Sequence, residues 1–599
     1  MTLNRGKPKR KSIFIEYFDM HILGISCFYH DSAACLVKDG VLIAAATEER
    51  FTRKKHDWSF PVRAIEYCLK EAGINITDVD HIAFYEKPLL KFDRILSQHL
   101  EMFPKSFLPF YLALPSWFNE KLLLRRTVRK RLKYKKDIFY IPHHLAHAAS
   151  AFLVSPFQEA AIITIDGVGE WQTTTISVGN GGQIRMLKEL NFPHSLGLLY
   201  SAITAHLGFK VNNDEYKVMG LAAYGKPTYL QQMRRLIDVK EDGSFALNMD
   251  YFSFHRAMTM CSQKFIKEFG EPRSPESPIE ERHKDLAASA QALLEDVVMK
   301  ICNYAHQLTG KENICLSGGV ALNSVANGKI LSHTPFKDIY IQPEAGDGGG
   351  CVGAAFYAYH SILQKPRSYV QTAAYSGPGY SPQAVKEFLD ANNIVYREFE
   401  NENTLIKETA KLIYGDNVVG WFQGRMEWGP RALGGRSILS NPCNPKMQDI
   451  LNLKVKHRER FRPFAPVVCE DDALQFFECD DPIPIPTDFM LMVYPIKEDK
   501  RKLIPAVTHV DGSGRLQTVR KEQNPRYYRL IKEFGALSGI PILINTSFNI
   551  RGEPIVCTPE DAYRCMMGTG IDYLIIENFI VRRSDNSKDR WDSEKYARD

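Results

Sequence analysis

Two histidines one helical turn apart, followed by two aspartates, form the clearest chemical pattern in this 599-residue sequence. His143 and His147 lie in an alanine-rich, helix-compatible stretch, and their i, i+4 spacing places both imidazoles on one helix face. Asp166 ends the next strand, and Asp347 in the loop 346–350 adds a second carboxylate. Two neutral imidazoles and two carboxylates suit Zn²⁺, Fe²⁺ or Mn²⁺ and leave positions open for a substrate. From spacing alone, a structural histidine pair is an equal alternative.

Two glycine-rich turns are candidates for binding phosphate. Residues 317–323 follow an apolar strand and begin a helix, so bare backbone amides can approach an anion at the helix N-terminus. The turn 346–350 is of the same kind, and neither turn has Walker A spacing. Their positions after strands favour nucleotide binding, with simple chain reversal as the alternative. The candidates are Ser317, Gly318, Gly319, Asn323, Gly346 and Gly348.

Arginines cluster in the last third of the chain, in segments that also carry glycine, proline and aromatic residues. The segments are 424–437 and 456–464. Solvated basic faces rarely have this composition, and arginine binds phosphate bidentately, so we expect a small phosphorylated substrate. Structural salt bridges are the alternative for part of the set. The candidates are Arg431, Lys456 and Arg462, with Arg515, Asn545 and Arg551 on later loops after strands.

The elements that must position these residues occur twice. From residue 22 the sequence predicts three strands, with an acidic loop at Asp31 and an Asp39-Gly40 hairpin turn. The same order returns with Asp166, which is 166 − 31 = 135 residues later. This duplication predicts an α/β, ribonuclease-H-like fold with nucleotide between its halves, and a chance recurrence of hairpins is the alternative.

Composition predicts the domain organisation. A stretch rich in Ser, Pro, Gly and Tyr at 362–382 is typical of a domain boundary. The expected segments are a basic extension at 1–20, a first domain at 21–365, a second α/β domain at 383–581 and a polar tail at 582–599.

Two helical segments of the first domain have distinct patterns. Apolar spacing predicts an amphipathic helix over 282–310. The run 121–136 has nine basic residues and no acid, which is typical of a solvated helix face or of a contact with an acidic partner or substrate.

Charge and cysteine content exclude several classes of protein. The net charge is 76 − 70 = +6, and five basic residues precede residue 12, so the remaining body is near neutral and we expect no nucleic-acid partner. The 12 cysteines form no CxxC pair, which excludes a zinc ribbon and favours a reducing, cytoplasmic location. No apolar run reaches the length of about 18 residues that spans a bilayer, so we expect no membrane partner.

Nine motifs together resemble the O-carbamoyltransferase family of nodulation, cephamycin and tobramycin biosynthesis. The resemblance runs from about residue 21 to 581. The motifs are FYHDSAACLVKDGVLIAAATEERFTRKKHD, HHLAHAASAF, ITIDGVGEW, EYKVMGLAAYGKP, LSGGVALN, GDGG, GRMEWGPRALGGRSI, KHRERFRPFAP and NTSFNIRGEPIV.

The resemblance implies a two-domain enzyme. Its first domain would belong to the acetate/sugar kinase, heat-shock ATPase and actin superfamily, and its second would be YrdC-like. In that family, carbamoyl phosphate and ATP give carbamoyl adenylate and pyrophosphate in the second domain. The carbamoyl group then passes to a hydroxyl of an acceptor at a metal site in the first, and AMP leaves.

Position by position, the resemblance assigns roles to the candidates above. His143, His147, Asp166 and Asp347 match metal ligands, with Fe²⁺ the expected ion, Zn²⁺ or Mn²⁺ as alternatives, and ATP with Mg²⁺ as co-substrate. The arginine-cluster candidates match the carbamoyl-phosphate and adenylate pocket. His30 and Asp31 are candidates for the base or for positioning near the phosphate, with a structural hairpin role as the alternative.

Three rival functions stay open alongside carbamoyl transfer. They are a small-molecule kinase of the same superfamily, a tRNA threonylcarbamoyl transferase-like enzyme, and a non-catalytic scaffold that binds nucleotide. The acceptor is not determined by the sequence, and a homodimer is possible.

Overall fold

The computed structural model describes residues 19–586. Most of the expected basic extension at 1–20 and the part of the expected polar tail beyond residue 586 therefore lie outside the described residues.

The first sheet has five strands in the order β3-β2-β1-β4-β5. Its first three strands form the predicted antiparallel meander, and β4 and β5 join it in parallel. Asp39 and Gly40 both have positive φ, which is the geometry of a tight Asp-Gly hairpin turn. The strands are β1 (His21–Ser26), β2 (Ala33–Lys38), β3 (Val41–Thr47), β4 (His81–Phe84) and β5 (Ile138–Tyr140).

The second sheet repeats this arrangement, with the order β12-β11-β6-β7-β8. Here β6, β7 and β8 form the antiparallel meander, and β11 and β12 add the two parallel strands. The predicted duplication of a ribonuclease-H-like unit is therefore confirmed. The strands are β6 (Glu159–Ile165), β7 (Gln172–Asn180), β8 (Gln183–Asn191), β11 (Asn313–Ser317) and β12 (Asp338–Ile341), with a small separate ribbon of β9 (Ile237–Val239) and β10 (Phe245–Leu247).

Fourteen helices accompany the first two sheets within the described residues. The predicted amphipathic helix is α11, which ends at Gly310 in the left-handed region typical of a helix C-terminus. Three helices, α3 to α5, lie in the long connection between β4 and β5. The helices are α1 (Glu49–Thr52), α2 (Val62–Glu71), α3 (Pro88–Met102), α4 (Phe107–Ser116), α5 (Leu124–Leu132), α6 (His143–Phe152), α7 (Leu196–His206), α8 (Glu215–Ala222), α9 (Leu230–Met233), α10 (Gln263–Phe269), α11 (Glu281–Thr309), α12 (Ser324–Asn327), α13 (Ile330–His333) and α14 (Gly350–Phe356).

The C-terminal unit is built on one nine-stranded mixed sheet, in the order β13-β21-β20-β14-β15-β19-β16-β18-β17. It is α/β, as predicted. The strands are β13 (Arg397–Glu398), β14 (Val419–Phe422), β15 (Arg436–Ser440), β16 (Ala465–Cys469), β17 (Met492–Pro495), β18 (Ser513–Val519), β19 (Ile542–Ser547), β20 (Tyr573–Ile576) and β21 (Phe579–Arg582). The helices are α15 (Pro382–Ala391), α16 (Glu402–Tyr414), α17 (Met447–Ile450), α18 (Glu470–Phe476), α19 (Glu498–Arg501), α20 (Pro525–Ser538) and α21 (Pro559–Met567).

Across residues 19–586, every helix is too short or too polar to cross a lipid bilayer.

Candidate active site

The four residues predicted as metal ligands meet at one point between the two sheets. His143 and His147 extend from one face of α6, and their Nε2 atoms are 3.1 Å apart. Asp166 follows β6 and Asp347 follows β12, and the ligand atoms of all four residues lie within 4.8 Å of one another. The four residues lie on separate stretches of chain between 143 and 347, so the fold brings them together.

The distances inside this cluster fit a shared cation. His143 Nε2 lies 3.0 Å from Asp166 Oδ2 and 3.6 Å from Asp347 Oδ1. His147 Nε2 lies 3.6 Å and 3.5 Å from the same two oxygens. The Oδ2 atom of Asp347 is buried and has no hydrogen-bond partner among residues 19–586, which leaves it available as a ligand. Two imidazoles and two carboxylates in this arrangement fit Fe²⁺, Zn²⁺ or Mn²⁺.

Close packing of two helices fixes the distance between the histidines and Asp347. A Cβ on Gly353 of α14 would lie 1.8 Å from the carbonyl oxygen of Ala146 on α6, so only glycine permits this approach. Burial opposes the charging of His147, but its bonds to Asp166 and Asp347 raise its pKa to about 9. The cluster therefore holds positive charge strongly, as a cation site should.

Neighbouring polar groups orient the two histidines. Glu170 accepts hydrogen bonds from the backbone N–H of His143, at 3.0 Å to each of its oxygens, and so holds the start of α6. Ser317 Oγ lies 3.3 Å from His147 Nδ1 and fixes that ring. His144, which the sequence leaves out of the ligand set, bonds instead to Thr164 Oγ1 and the carbonyl of Gln172.

The first glycine turn supports the cluster with its own polar groups. The N–H of Gly319 donates to Asp166 Oδ1 at 3.1 Å. Gly318 has a φ of 92°, and a Cβ there would lie 2.4 Å from the Ile165 carbonyl oxygen, so the turn requires glycine. Asn323 caps α12 and bonds to Gln291. Nucleotide binding by this turn stays a prediction, because these groups already have partners within the protein.

A buried glutamate that the sequence reasoning missed lies beside the second glycine turn. Glu344 is 6% exposed, and Cβ atoms on Gly346 and Gly348 would both lie 3.1 Å from its side chain. Burial, with the charges of Asp31 and Glu49, raises the pKa of Glu344 to about 8. Its backbone packs against Gly429, where a Cβ would lie 3.4 Å from the Glu344 nitrogen, so Glu344 lies near the segment that carries Arg431.

Replacing Glu344 with glutamine should stabilise the metal-free protein at high pH. The unfolded carboxyl ionises near pH 4.5, while the folded one stays protonated up to about pH 8, so folding loses stability across that window as pH rises. Glu344→Gln removes this loss, which is on the order of 5 kcal/mol over the whole window. After EDTA treatment, the melting temperatures of the unchanged protein and of Glu344→Gln should be equal near pH 4.5, and the variant's should be increasingly higher up to pH 8. Equal melting temperatures at pH 8.5 would contradict the prediction.

Glu400→Gln, at an exposed position, is the matched control.

His30 and Asp31 form a second polar cluster with His56, which the sequence reasoning missed. Asp31 bonds to His30 Nδ1 at 2.7 Å and to His56 Nδ1 at 2.9 Å. The Nε2 atom of His30 bonds to the backbone carbonyl of Asn212. Burial opposes charging, yet Asp31 raises the pKa of His30 to about 10. Both nitrogens of His30 therefore donate, which suits a fixed positive charge rather than a free base.

Four arginines of the C-terminal unit lie close enough together for their charges to interact, and this group is called the arginine pocket. Burial and three neighbouring guanidinium groups lower the pKa of Arg515 well below its ordinary value. The Nε atoms of Arg431 and Arg515 are buried and have no hydrogen-bond partner in the described part of the chain. Unpartnered buried donors in a field of positive charge have the chemistry that an anion requires. The four arginines are Arg431, Arg458, Arg462 and Arg515.

The pocket extends across to the N-terminal unit. Arg462 lies 4.9 Å from the ring of Tyr216 and donates to its hydroxyl at 3.1 Å. Arg458 lies in the predicted segment 456–464 but was not among the candidates named from it. Tyr216 was missed, since no motif spacing relates residue 216 to the arginine segments.

The other residues predicted for the pocket are bonded to groups of the protein itself. Lys456 is buried and bonds to Ser547 Oγ and to Asn549 Oδ1, and burial lowers its pKa. Asn545 donates to Ala432 and Gln517, and its Oδ1 is buried without a partner in the described chain. Arg551 lies at the rim, where it pairs with Glu276 at 2.7 Å. Gly346 and Gly348 contact Glu344, as above.

Comparison with known proteins identifies the family. The description "Carbamoyltransferase N-terminus" matches residues 21–356, and "Carbamoyltransferase C-terminus" matches residues 410–583. The chain belongs to the carbamoyltransferase family. It is therefore a transferase, and the expected resemblance is confirmed.

Relatives match this carbamoyltransferase over most of its length. "Uncharacterized protein sll1178" of Synechocystis sp. is 49% identical and covers 94% of this chain and 97% of its own. "Nodulation protein NolNO" of Sinorhizobium fredii is 38% identical, over 94% of this chain and 80% of its own. "Nodulation protein U" of Rhizobium tropici is 29% identical, over 92% and 94%.

Solved structures resemble part of the carbamoyltransferase. HypF of T. kodakarensis has a TM-score of 0.31 and 14% identity, over 58% of this chain and 49% of that chain. ROK hexokinase of Thermus thermophilus has a TM-score of 0.28 and 15% identity, over 57% and 100%.

Proposed function

We propose that the enzyme uses carbamoyl phosphate and ATP to carbamoylate a hydroxyl group of a small-molecule or saccharide acceptor. In the C-terminal unit, water converts carbamoyl phosphate to carbamate and phosphate, and a carbamate oxygen attacks the α-phosphorus of ATP. Pyrophosphate leaves and carbamoyl adenylate forms. In the N-terminal unit, the acceptor oxygen attacks the carbamoyl carbon, the hydroxyl proton is removed and AMP leaves.

The arginine pocket is the observation that carries this proposal. Arg431 lies close enough to Arg515 to lower the pKa of Arg515, and each of the two has a buried Nε without a partner in the described chain. Such charges are costly to bury unless an anion lies between them. The phosphates of the two substrates supply that anion, and the same donors stabilise the charge that develops as pyrophosphate departs.

The four-residue cluster supports the second half-reaction. A divalent metal held by His143, His147, Asp166 and Asp347 would act as a Lewis acid on the carbamoyl carbonyl or the acceptor hydroxyl. Glu170 and Ser317 keep the two imidazoles in place for this role. His30 is charged and both of its ring nitrogens are hydrogen-bonded, so it has no free nitrogen to act as a base. Its positive charge instead supports a role in positioning the phosphate of the adenylate.

Carbamoyl-phosphate-dependent exchange of labelled pyrophosphate into ATP is the experiment that tests the proposal. We expect exchange by the purified, metal-loaded protein with no acceptor present, because adenylate formation is reversible and complete within the arginine pocket. Exchange should disappear when carbamoyl phosphate is left out. A folded, metal-loaded protein without exchange would instead favour a kinase or a nucleotide-binding scaffold.

A further inference from the structure

The connection between β4 and β5 exposes an unusual amount of apolar surface. Its helix α4 has the sequence FLPFYLALPS, carries no charged residue and has no buried residue. A helix that is apolar on all sides is normally buried, and soluble monomers rarely expose large contiguous apolar patches. Eight large apolar side chains of this connection are more than half exposed: Leu89, Leu100, Phe103, Phe107, Leu108, Tyr111, Leu112 and Phe118.

Internal contacts hold this segment in an ordered hairpin of α3 and α4, here called the apolar hairpin (residues 88–118). Phe92 of α3 lies 5.5 Å from Trp117, measured between ring centroids. The ring of His99 stacks on Phe110 at 4.1 Å. The exposed side chains therefore lie on the outside of a packed unit, so their exposure is a property of the fold.

The next helix, α5, adds a concentrated positive charge. Residues 121–136 hold nine basic side chains and no acid. Arg125 pairs with Asp137 at 2.9 Å and Lys136 lies 3.8 Å from Asp80. Arg126, Arg129 and Lys130 are exposed and have no ion pair among residues 19–586.

We propose that the apolar hairpin and α5 together bind the surface of an anionic lipid bilayer. Leucine and aromatic side chains beside unpaired lysine and arginine are the composition of helices that lie in the membrane interface. The apolar side chains would enter the headgroup and acyl boundary, while the basic side chains contact lipid phosphates. A second copy of the chain is a poorer occupant, because a symmetric interface through this face would bring the positive α5 helices together.

This inference does not depend on the proposed reaction. Its test is flotation of the full chain with vesicles of phosphatidylcholine and phosphatidylglycerol in a 70:30 ratio, compared with pure phosphatidylcholine. We expect binding to the anionic vesicles, weaker binding to the neutral ones, and a loss of the difference as salt rises.

Two sets of substitutions separate the apolar and charged contributions. Phe107→Glu with Leu108→Glu and Tyr111→Glu should abolish flotation with both vesicle types. Arg126→Glu with Arg129→Glu and Lys130→Glu should weaken binding to anionic vesicles by more than about a hundredfold, because the loss of three positive charges costs about fivefold each and the new carboxylates add repulsion. The matched control reverses Lys407, Lys411 and Lys446, three exposed lysines of the C-terminal unit, and should bind like the unchanged protein.

Three results would overturn the inference. One is no flotation of the unchanged protein with anionic vesicles at low salt. Another is equal binding to anionic vesicles by the charge-reversed α5 variant and by the control variant with three reversed lysines. The third is a lipid-independent dimer, measured by light scattering, that the glutamate variants of α4 convert to monomers, because it would show that a second copy covers this face. The circular dichroism spectrum and thermal melt of each variant verify that it is folded, since the substituted residues are exposed.

Discussion

Replacing His147 with alanine is expected to abolish carbamoyl transfer to an acceptor and to leave pyrophosphate exchange largely intact. The imidazole is fully buried in the four-residue cluster, 3.5 Å and 3.6 Å from the two carboxylates, so its loss removes one of four ligand atoms. Lewis-acid stabilisation of this kind contributes several kcal/mol, so transfer should fall by about a thousandfold or more. We propose that exchange takes place at the arginines, and none of these forms a hydrogen bond with His147 within residues 19–586.

Metal content gives this prediction a readout besides activity. His147→Ala should lower the bound metal per chain, and His333→Ala, an exposed histidine in the same half of the chain, should change neither metal content nor transfer. Loss of exchange together with transfer, in a variant with an unchanged circular dichroism spectrum, would contradict the separation of the two half-reactions.

Replacing Arg431 with alanine is expected to have the opposite pattern. Exchange should fall by about a thousandfold, because the pocket loses one of four converging guanidinium groups and a buried donor without a partner. Metal content should stay unchanged. The thermal stability of the ligand-free protein should not fall, since burial and Arg462 already make the charge of Arg431 unfavourable.

Two further variants sharpen the interpretation. Arg431→Lys keeps the charge but loses the planar fork, so partial exchange would indicate that bidentate contact with phosphate matters. Arg460→Ala removes an exposed arginine from the same basic loop and should leave exchange unchanged. If exchange survives in Arg431→Ala, the arginine cluster is not the adenylate-forming site.

The clustering of the four predicted ligand residues could be expected from the sequence because part of it depends on local rules. The spacing of His143 and His147 fixes their common helix face. Asp166 follows the first strand of the second hairpin, in the position that Asp31 has in the first. These rules place each side chain on its own element. The recurrence of the hairpin then indicates that the elements meet in one duplicated fold, which the two five-stranded sheets confirm.

The residues that were missed depend on contacts between distant parts of the chain. His56 joins Asp31 only because a loop folds back, and Tyr216 meets Arg462 across 246 residues of sequence. Glu344 lies outside the recognised motifs, and it stands out only because its carboxyl group is buried, which a single sequence does not record. The exposure of α4 was missed for the same reason, and the expectation of no membrane partner rested on spanning segments alone, which says nothing of a surface contact.

The apolar hairpin lies in a connection between two paired strands, and this placement has an evolutionary consequence. Residues 88–137 are inserted between β4 and β5, which pair directly with each other, so the register of the sheet is set without them. The segment is tied to the interior at several points: Lys91 is buried and pairs with Glu86 at 2.5 Å, and Leu124 and Val128 of α5 are buried. The exposed side chains between these points contribute nothing to the pairing of β4 with β5. Substitutions at those exposed positions therefore leave the sheet unchanged, so this surface can diverge while the two halves keep their fold.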